Sequence, residues 1–331
     1  MRNIIKKIDQ AGLVGRGGAE FPTARKWQSV KDAPGKVKYV VCNASEGELG
    51  LFKDIFILEH HLAEVMKGMV LAMDTIKTKK AYFNLNQNYH KKIKGKLGKL
   101  IKQYAKQDYE FEVFVEHPSY IGGEETALLD AIEGKRTQPR LKPPYPSDAG
   151  LFGAPTLINN VETFYNVALV AEDKYKNDRF CCLTVDGKRI DVYRQPADWS
   201  LEKILRETGN YPDYDFFVQV GGSASGVVYN QKQLSKNKLS GAGSLEVYRA
   251  SMKPHQLLSQ WFEFYAAESC GKCAPCRQGT FNLWKLIDKK TIDWKKIMAI
   301  VETMEKTSFC GLGKSIGVPV RSYLKNVEGR K

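Results

Sequence analysis

Three cysteines at intervals of three constrain this chain more than any other feature. They lie in Glu268-Ser269-Cys270-Gly271-Lys272-Cys273-Ala274-Pro275-Cys276-Arg277, where a single tight loop at a helix start can turn all three sulfurs toward one inorganic core. A [4Fe–4S] cube needs four thiolates, and the fourth can come from far along the chain. Cys310, in Ser308-Phe309-Cys310-Gly311-Leu312-Gly313, follows an intervening helical segment and is the candidate for that role. A structural zinc site draws its ligands as two separated pairs, which fits this layout less well. Disulfides need an oxidising compartment, to which nothing in the sequence points. Unligated structural thiols are the remaining alternative. The cluster is the reading carried forward.

The totals narrow the class. A chain of 331 residues can bury a substantial core and divides into two or three domains. No apolar run approaches the roughly 20 residues that span a bilayer. The start, Met1-Arg2-Asn3-Ile4-Ile5-Lys6-Lys7, has neither the apolar core nor the cleavage site of a leader, so a cytoplasmic location is expected. The formal charge of +14 raises the question of nucleic acid, but ten lysines fall between Lys77 and Lys106 in a helix-like stretch without interleaved arginine and aromatic residues. That pattern reads as a solvated face. Cys42, Cys181 and Cys182 remain, and the adjacent Cys181-Cys182 pair in a strand-like run reads as buried packing.

Along the chain, residues 1–11 read as a short helix leading into Gly12-Leu13-Val14-Gly15-Arg16-Gly17-Gly18-Ala19-Glu20-Phe21-Pro22-Thr23. Glycines here let backbone amides approach a ligand, and Arg16, Arg25 and Lys26 would suit phosphates. The stretch does not complete G-x-G-x-x-G, because Glu20 stands at the third glycine. Lys38–Asn43 reads as a buried strand ending at the polar loop Ala44–Gly50. A helical period runs from Leu58 to Ile76, a second strand over Lys80–Asn86, then the lysine-rich helix. A third strand alternates through Tyr109, Phe111, Val113 and Val115. Strand–helix–strand repetition predicts a parallel α/β sheet, whose ligands gather at strand carboxyl ends. Tyr120-Ile121-Gly122-Gly123 turns into a helix headed by Glu124 and Glu125; capping explains two carboxylates there, while the glycines leave room for a planar ligand. Residues 136–156 read as a proline-rich ordered loop, and Asn159-Asn160-Val161-Glu162-Thr163 opens a helix to about Glu172. A small β-rich unit follows, and from Pro254 a helical pattern delivers the cysteines.

These motifs together resemble the NADH-oxidising flavoprotein subunit of respiratory complex I (the 51-kDa type) and the diaphorase subunits of NAD-linked hydrogenases and formate dehydrogenases. The matching pieces are Gly15-Arg16-Gly17-Gly18-Ala19 with Phe21-Pro22-Thr23, Cys42-Asn43-Ala44 with Phe52-Lys53-Asp54, and Gly123-Glu124-Glu125-Thr126-Ala127-Leu128. Pro139-Arg140-Leu141-Lys142-Pro143-Pro144, Asn159-Asn160-Val161-Glu162-Thr163 and Glu268–Cys273 complete them, in order, from about residue 11 to 325. The resemblance implies an α/β chain: a Rossmann-like FMN-binding domain (1–175), a small β-grasp domain (176–248), and a C-terminal helical bundle (249–331) holding one [4Fe–4S] cluster. It implies an NADH dehydrogenase that takes hydride from NADH, or NADPH, onto FMN and passes single electrons to the cluster. By position, Gly15, Gly17, Asn43, Tyr120, Gly123, Asn159, Asn160 and Thr163 would line FMN. Phe21, Lys26, Glu48, Glu125 and Tyr145 would meet the dinucleotide, with Glu124 beside them, and Cys270, Cys273, Cys276 and Cys310 would hold the cluster. No general acid is required, since the flavin takes the hydride. Implied partners are a thioredoxin-like [2Fe–2S] subunit and a further iron–sulfur subunit, with no nucleic acid and no insertion into a membrane.

The chain departs from the family pattern at three places. Glu20 replaces a glycine in the ligand loop, Ser45 replaces an aspartate, and Asn86-Gln87-Asn88-Tyr89 stands for Arg-Gly-Glu-Tyr. The Glu20 and Asn86–Asn88 changes motivate an alternative, a relay or assembly subunit that keeps the cluster without oxidising nicotinamide. A zinc-stabilised basic scaffold for RNA is the third class, resting on charge and cysteines alone.

Overall fold

A computed structural model describes residues 4–287 and 291–329. The first three residues of the expected amino-terminal helix and leader reading lie outside them. The chain divides into two compact units, Met1–Gly47 with Phe52–Asp178, and Glu48–Leu51 with Arg179–Lys331.

The first unit runs α1 (Ile4–Gln10), α2 (Thr23–Asp32), β1 (Tyr39–Ala44), α3 (Lys53–Ile76), β2 (Lys80–Asn86), α4 (Gln87–Ala105) and β3 (Glu110–Glu116). It continues through α5 (Glu125–Ile132), α6 (Pro146–Ala149), β4 (Thr156–Asn160) and α7 (Val161–Ala171). The strands form one sheet in the order β3-β2-β1-β4, and every neighbouring pair is parallel. The expected parallel α/β sheet is present, with a strand the sequence reading missed. Thr156–Asn160 follows the proline-rich loop and enters α7 with no turn residue between, so five residues read as the approach to a helix.

Register explains the packing. Val41 stands opposite Tyr82 on one side and Ile158 on the other, and all three join Leu128 and Leu129 of α5 in a buried cluster. Helices α3 and α7 pack closely enough that a side chain at Gly68 would start 2.0 Å from the Phe164 carbonyl oxygen. The three methionines of α3, Met66, Met69 and Met73, are fully buried core, as is Cys42. In α4 the buried residues are Ile93 and Leu97, and most of its lysines face outward, the solvated face the sequence suggested.

The second unit holds β5 (Asp178–Val185), β6 (Lys188–Pro196), α8 (Leu201–Glu207), β7 (Phe216–Val220), β8 (Val227–Asn230) and β9 (Ser244–Arg249). Its sheet order is β6-β5-β9-β7-β8, with β9 parallel to β5 and antiparallel to β7. Leu201, Ile204 and Leu205 of α8 pack on Leu183, Val218, Leu245 and Val247. Two strands, one crossing helix, the antiparallel pair β7 and β8, and a last strand inserted between β5 and β7 make the β-grasp arrangement. Helices α9 (Pro254–Glu268), α10 (Ala274–Ile287), α11 (Trp294–Thr307), α12 (Gly311–Ser315) and α13 (Gly317–Asn326) complete the unit. Trp261 is fully buried and donates its indole N–H to Gln219 Oε1 at 3.1 Å. Among the described residues no helix is long and apolar enough to cross a membrane.

Candidate cofactor site

The strand order reverses direction between β1 and β4: from β1 the chain moves to β2 and β3 on one side, then returns to β4 on the other. Ligands of open α/β sheets bind outside the carboxyl ends of strands at such a point. Here Asn43 of β1 stands opposite Asn160 of β4. The glycine loop lies against them. Gly15 N donates to Phe21 O at 2.8 Å, and Arg16 N donates to Thr163 Oγ1 at 2.9 Å. A Cβ on Gly17 would come within 3.3 Å of Asn160 Cβ, a tight contact that glycine avoids. The buried Arg16 guanidinium donates to Tyr175 Oη and Asn177 Oδ1, both at 3.0 Å, and anchors the loop from behind.

Asn160 joins three elements. Its Oδ1 accepts from Glu162 N at 3.0 Å, capping α7, and from Lys53 Nζ at 3.2 Å, while its Nδ2 donates to Asp54 Oδ2 at 2.6 Å. Lys53, Asp54 and Glu162 are all buried, with Lys53 Nζ 2.6 Å from Asp54 and 3.3 Å from Glu162. Burial pushes the Asp54 carboxyl up, against the pull of Lys53 and Asn160. The Glu46 carboxylate accepts from Lys53 N, Asp54 N and Tyr89 Oη at 3.2, 3.0 and 2.8 Å. It thereby satisfies the first amides of α3, where Phe52 offers no capping side chain. This is why α3 begins at Lys53 rather than at Leu58.

Across the sheet end, Asn43 Nδ2 donates to Gly123 O at 2.8 Å, and a Cβ at Gly123 would meet Ser45 O at 2.9 Å. Asn159 Oδ1 accepts from Trp27 Nε1 at 2.9 Å. Tyr120 is half-buried beside Gly47, where a Cβ would lie 2.6 Å from its amide nitrogen. Glu124 caps α5 through Thr126 N and Ala127 N, both at 2.9 Å. Lys142 bridges Glu124 at 2.9 Å and Glu125 at 2.7 Å, and Lys26 reaches Glu125 at 3.3 Å and Ile158 O at 3.4 Å. Burial alone would raise Glu125, but the two lysines outweigh it and hold the carboxyl below its usual range. Phe21 and Tyr145 present exposed rings, 47% and 53% accessible.

The structure therefore gathers Gly15, Gly17, Asn43, Gly123, Asn159, Asn160 and Thr163 around the ends of β1 and β4, and links Lys26, Glu124 and Glu125 beside them. Glu48 belongs to the second unit. There its carboxylate accepts from Ser225 N at 2.9 Å, Ser225 Oγ at 2.7 Å and Ala224 N at 3.4 Å, and burial pushes it up to about 7. Sequence reasoning missed Glu46, Lys53, Asp54 and Glu162 as a working group; the signal available was an acid–base pair, Lys53-Asp54, at the head of an apolar helix.

Cys270 and Cys273 lie in the turn between α9 and α10, Cys276 in the first turn of α10, and Cys310 stands at the N-cap of α12. Cys273 and Cys276 are buried, Cys270 and Cys310 half-buried. A Cβ at Gly313 would lie 3.2 Å from Cys276 Cβ, so α12 carries Cys310 close against the triplet. Burial, with Cys273, Cys310 and Cys270 nearby, pushes the Cys276 thiol up to about 11. Among the described residues no three His, Cys, Asp or Glu side chains converge on a single-ion site. A cube instead takes one thiolate at each of four separate irons, and this donor set of four sulfurs on two helix starts fits it. The glycine cradle against Asn160 likewise fits a flavin nucleotide approaching the backbone closely.

A parallel sheet with ligand groups at its switch point, followed by a helical segment bearing four thiols, is the build of a flavin and iron–sulfur oxidoreductase subunit. Residues 8–169 match the Nuo51 FMN-binding domain, and residues 256–329 match the NADH-ubiquinone oxidoreductase-F iron–sulfur binding region. The F 2 subunit of the NADH-quinone oxidoreductase of Rhizobium meliloti is 32% identical over 98% of this chain and 86% of its own length. The alpha subunit of the NAD-reducing hydrogenase HoxS of Cupriavidus necator is 30% identical over 97% of this chain, which spans 59% of that longer protein. A crystal structure of an NAD+-reducing [NiFe]-hydrogenase in the H2-reduced state superposes with a TM-score of 0.89 at 30% identity, over 98% of this chain and 61% of the other. The chain belongs to the 51-kDa-type family of NADH dehydrogenase flavoprotein subunits, whose members are built on FMN and a [4Fe–4S] cluster.

Proposed function

We propose that this chain is the NAD(P)H-oxidising subunit of a cytoplasmic multi-subunit redox complex, and that it hands electrons to partner iron–sulfur subunits. The observation that carries the reading is the Gly17–Asn160 approach at the switch point, in a chain that also carries four clustered cysteines. FMN, when bound, supplies the chemistry that accepts two electrons as a hydride and releases them singly to a [4Fe–4S] cluster. The chain's own residues supply position and charge. Gly15 and Gly17 admit the ligand to the backbone, and Asn43, Tyr120, Gly123, Asn159, Asn160 and Thr163 surround it. Lys26 offers positive charge to a dinucleotide's phosphates, with Glu124 and Glu125 tying it and Lys142 in place. Phe21 and Tyr145 offer stacking faces to its bases, and Glu48 offers a carboxylate to its hydroxyls or carboxamide. Cys270, Cys273, Cys276 and Cys310 grip the cluster. The three-part division at about residues 175 and 248 then separates flavin, β-grasp and cluster functions. A thioredoxin-like [2Fe–2S] subunit and a second iron–sulfur protein are the partners this reading assigns.

The test is a visible spectrum of anaerobically purified, reconstituted protein before and after NADH or NADPH, with iron and acid-labile sulfide measured on the same sample. The expected result is flavin and cluster absorbance that bleaches on addition. Flavin and cluster that stay oxidised with both nucleotides would replace this reading with the relay subunit. Zinc without sulfide would remove the cluster.

A further inference from the structure

The glycine loop is closed at its base by two backbone bonds, Gly15 N to Phe21 O at 2.8 Å and Thr23 N to Leu13 O at 3.0 Å, and α2 starts directly after it. Ala24 and Trp27 bury the inner face of α2, and Trp27 Nε1 ties that helix to Asn159 at 2.9 Å. Arg25, between them in sequence, stands exposed on the outer face. Its guanidinium carbon lies 5.8 Å from the centroid of the Phe21 ring, which is itself 47% accessible. The neighbouring cations are committed elsewhere: Lys26 pairs with Glu125, and Lys142 with Glu124 and Glu125. Among the described residues no carboxylate pairs with Arg25.

We propose that Arg25 is the specificity-determining residue of the dinucleotide site: its guanidinium binds the 2′-phosphate that distinguishes NADPH from NADH, so the site takes NADPH more tightly. This rests on the reading that Phe21 stacks on a base of the dinucleotide, here the adenine. A base on the exposed Phe21 ring brings its ribose to the edge of that ring, within the span of a side chain already beside it. NADH presents a 2′-hydroxyl there, which suits a carboxylate; NADPH presents a phosphate, which suits an arginine. A guanidinium serves both needs at once. Its plane lies against an aromatic face while its fork of N–H groups donates to two phosphate oxygens. The opposing charge is Glu20, one residue before Phe21. Its side chain is exposed, so solvent and salt screen its repulsion, whereas Arg25 acts through direct hydrogen bonds from a helix held at Trp27. The direct bonds outweigh the screened repulsion. Lys26 serves the pyrophosphate that both dinucleotides share.

Calorimetric titration of the full chain with 2′,5′-ADP and with 5′-AMP, which differ only in the 2′-phosphate, reads the contact without any redox step. Wild type should bind 2′,5′-ADP about tenfold or more tightly than 5′-AMP. Arg25→Leu should bring the two probes within about threefold of each other and leave 5′-AMP close to its wild-type affinity. Arg25→Lys should retain part of the preference, because it keeps the charge and loses the fork. Phe21→Ala should weaken both probes. In the reconstituted chain the ratio of kcat/KM for NADPH to that for NADH should fall in Arg25→Leu by the factor lost in binding. Equal affinity of wild type for the two probes, a preference that survives Arg25→Leu, or binding undiminished in Phe21→Ala overturns the proposal. An equal loss of both probes in Arg25→Leu, which is what stacking alone predicts, overturns it too. So does a failure of both probes to bind, and bleaching of the flavin by NADH then shows that the hydride reading stands without it. A 2′,5′-ADP preference that Arg25→Leu removes, in a chain that neither dinucleotide reduces, supports the phosphate contact and removes the hydride reading, so the two fail separately.

Discussion

Replacing Lys53 by methionine tests whether the buried network at the head of α3 holds the first unit together. Methionine keeps most of the stem and removes the ammonium, which is 2.6 Å from Asp54, 3.3 Å from Glu162 and 3.2 Å from Asn160 Oδ1. An exposed pair of this kind contributes about 1 kcal/mol or less. Here Lys53, Asp54 and Glu162 are 1%, 2% and 0% accessible, so the ordinary surface figure does not apply. Removing one partner of a buried pair leaves uncompensated charge and costs about 3–5 kcal/mol. The pH dependence follows from sign. Asp54 is already raised above its usual 3.8 by burial, and losing the ammonium raises it further. A carboxyl raised in the folded state costs nothing below its unfolded pKa and costs progressively more as pH rises toward the folded one. The deficit of Lys53→Met should therefore be larger at about pH 8 than at about pH 5.5, and Asp54→Asn in the same background should recover part of it. Urea unfolding of the cofactor-free protein at both pH values, with hydrogen exchange of peptides from α3 and α7, makes the measurement. A variant within about 1 kcal/mol of wild type at both pH values, or a deficit that grows toward acid, would refute the reasoning.

Glu48→Gln should flatten the pH dependence of the second unit: Glu48 is raised by burial from 4.5 to about 7, so wild-type stability falls across that window, by about 3 kcal/mol at most. Unfolding midpoints measured from about pH 4.5 to about pH 8 read it, and parallel curves for the two proteins would count against it. Gly68→Ala should cost about 1–3 kcal/mol or more, because its methyl would begin 2.0 Å from the Phe164 carbonyl oxygen and force α3 from α7. Gly98→Ala in α4, with nothing within 4 Å, is the control and should stabilise by up to about 1 kcal/mol. Thermal unfolding of the pair checks the contrast.

How much of this was legible in the sequence depends on the distance over which each signal acts. Val40–Cys42 and Ala81–Phe83 advertise themselves as unbroken apolar runs, and Met66, Met69 and Met73 by helical period, because burial there is a local property of residue type. β4 is as buried as β1 through Thr156–Asn159, yet Asn159 and Asn160 are polar and run straight into a helix. Their reason for being there lies across the sheet, in Trp27, Asp54 and Lys53.

The site divides the same way. Motifs named Gly17, Asn43 and Asn160 one by one, but the network that fixes Asn160 joins it to Asp54, 106 positions away. No window along the chain contains both. Glu20 was legible as a departure from the family pattern, but its backbone conformation was not. It sits in left-handed backbone, φ +50°, where glycine is at ease and an L side chain is disfavoured by about 1–2 kcal/mol. It is exposed rather than pressed into the ligand loop. The glycine of the family pattern at this place therefore answers to backbone shape, and a chain that tolerates the strain can place a carboxylate at the mouth of the loop without closing it. At Gly17 the constraint is contact rather than backbone shape: a Cβ there would press on Asn160 Cβ at 3.3 Å, and Asn160 would have to give by a few tenths of an ångström.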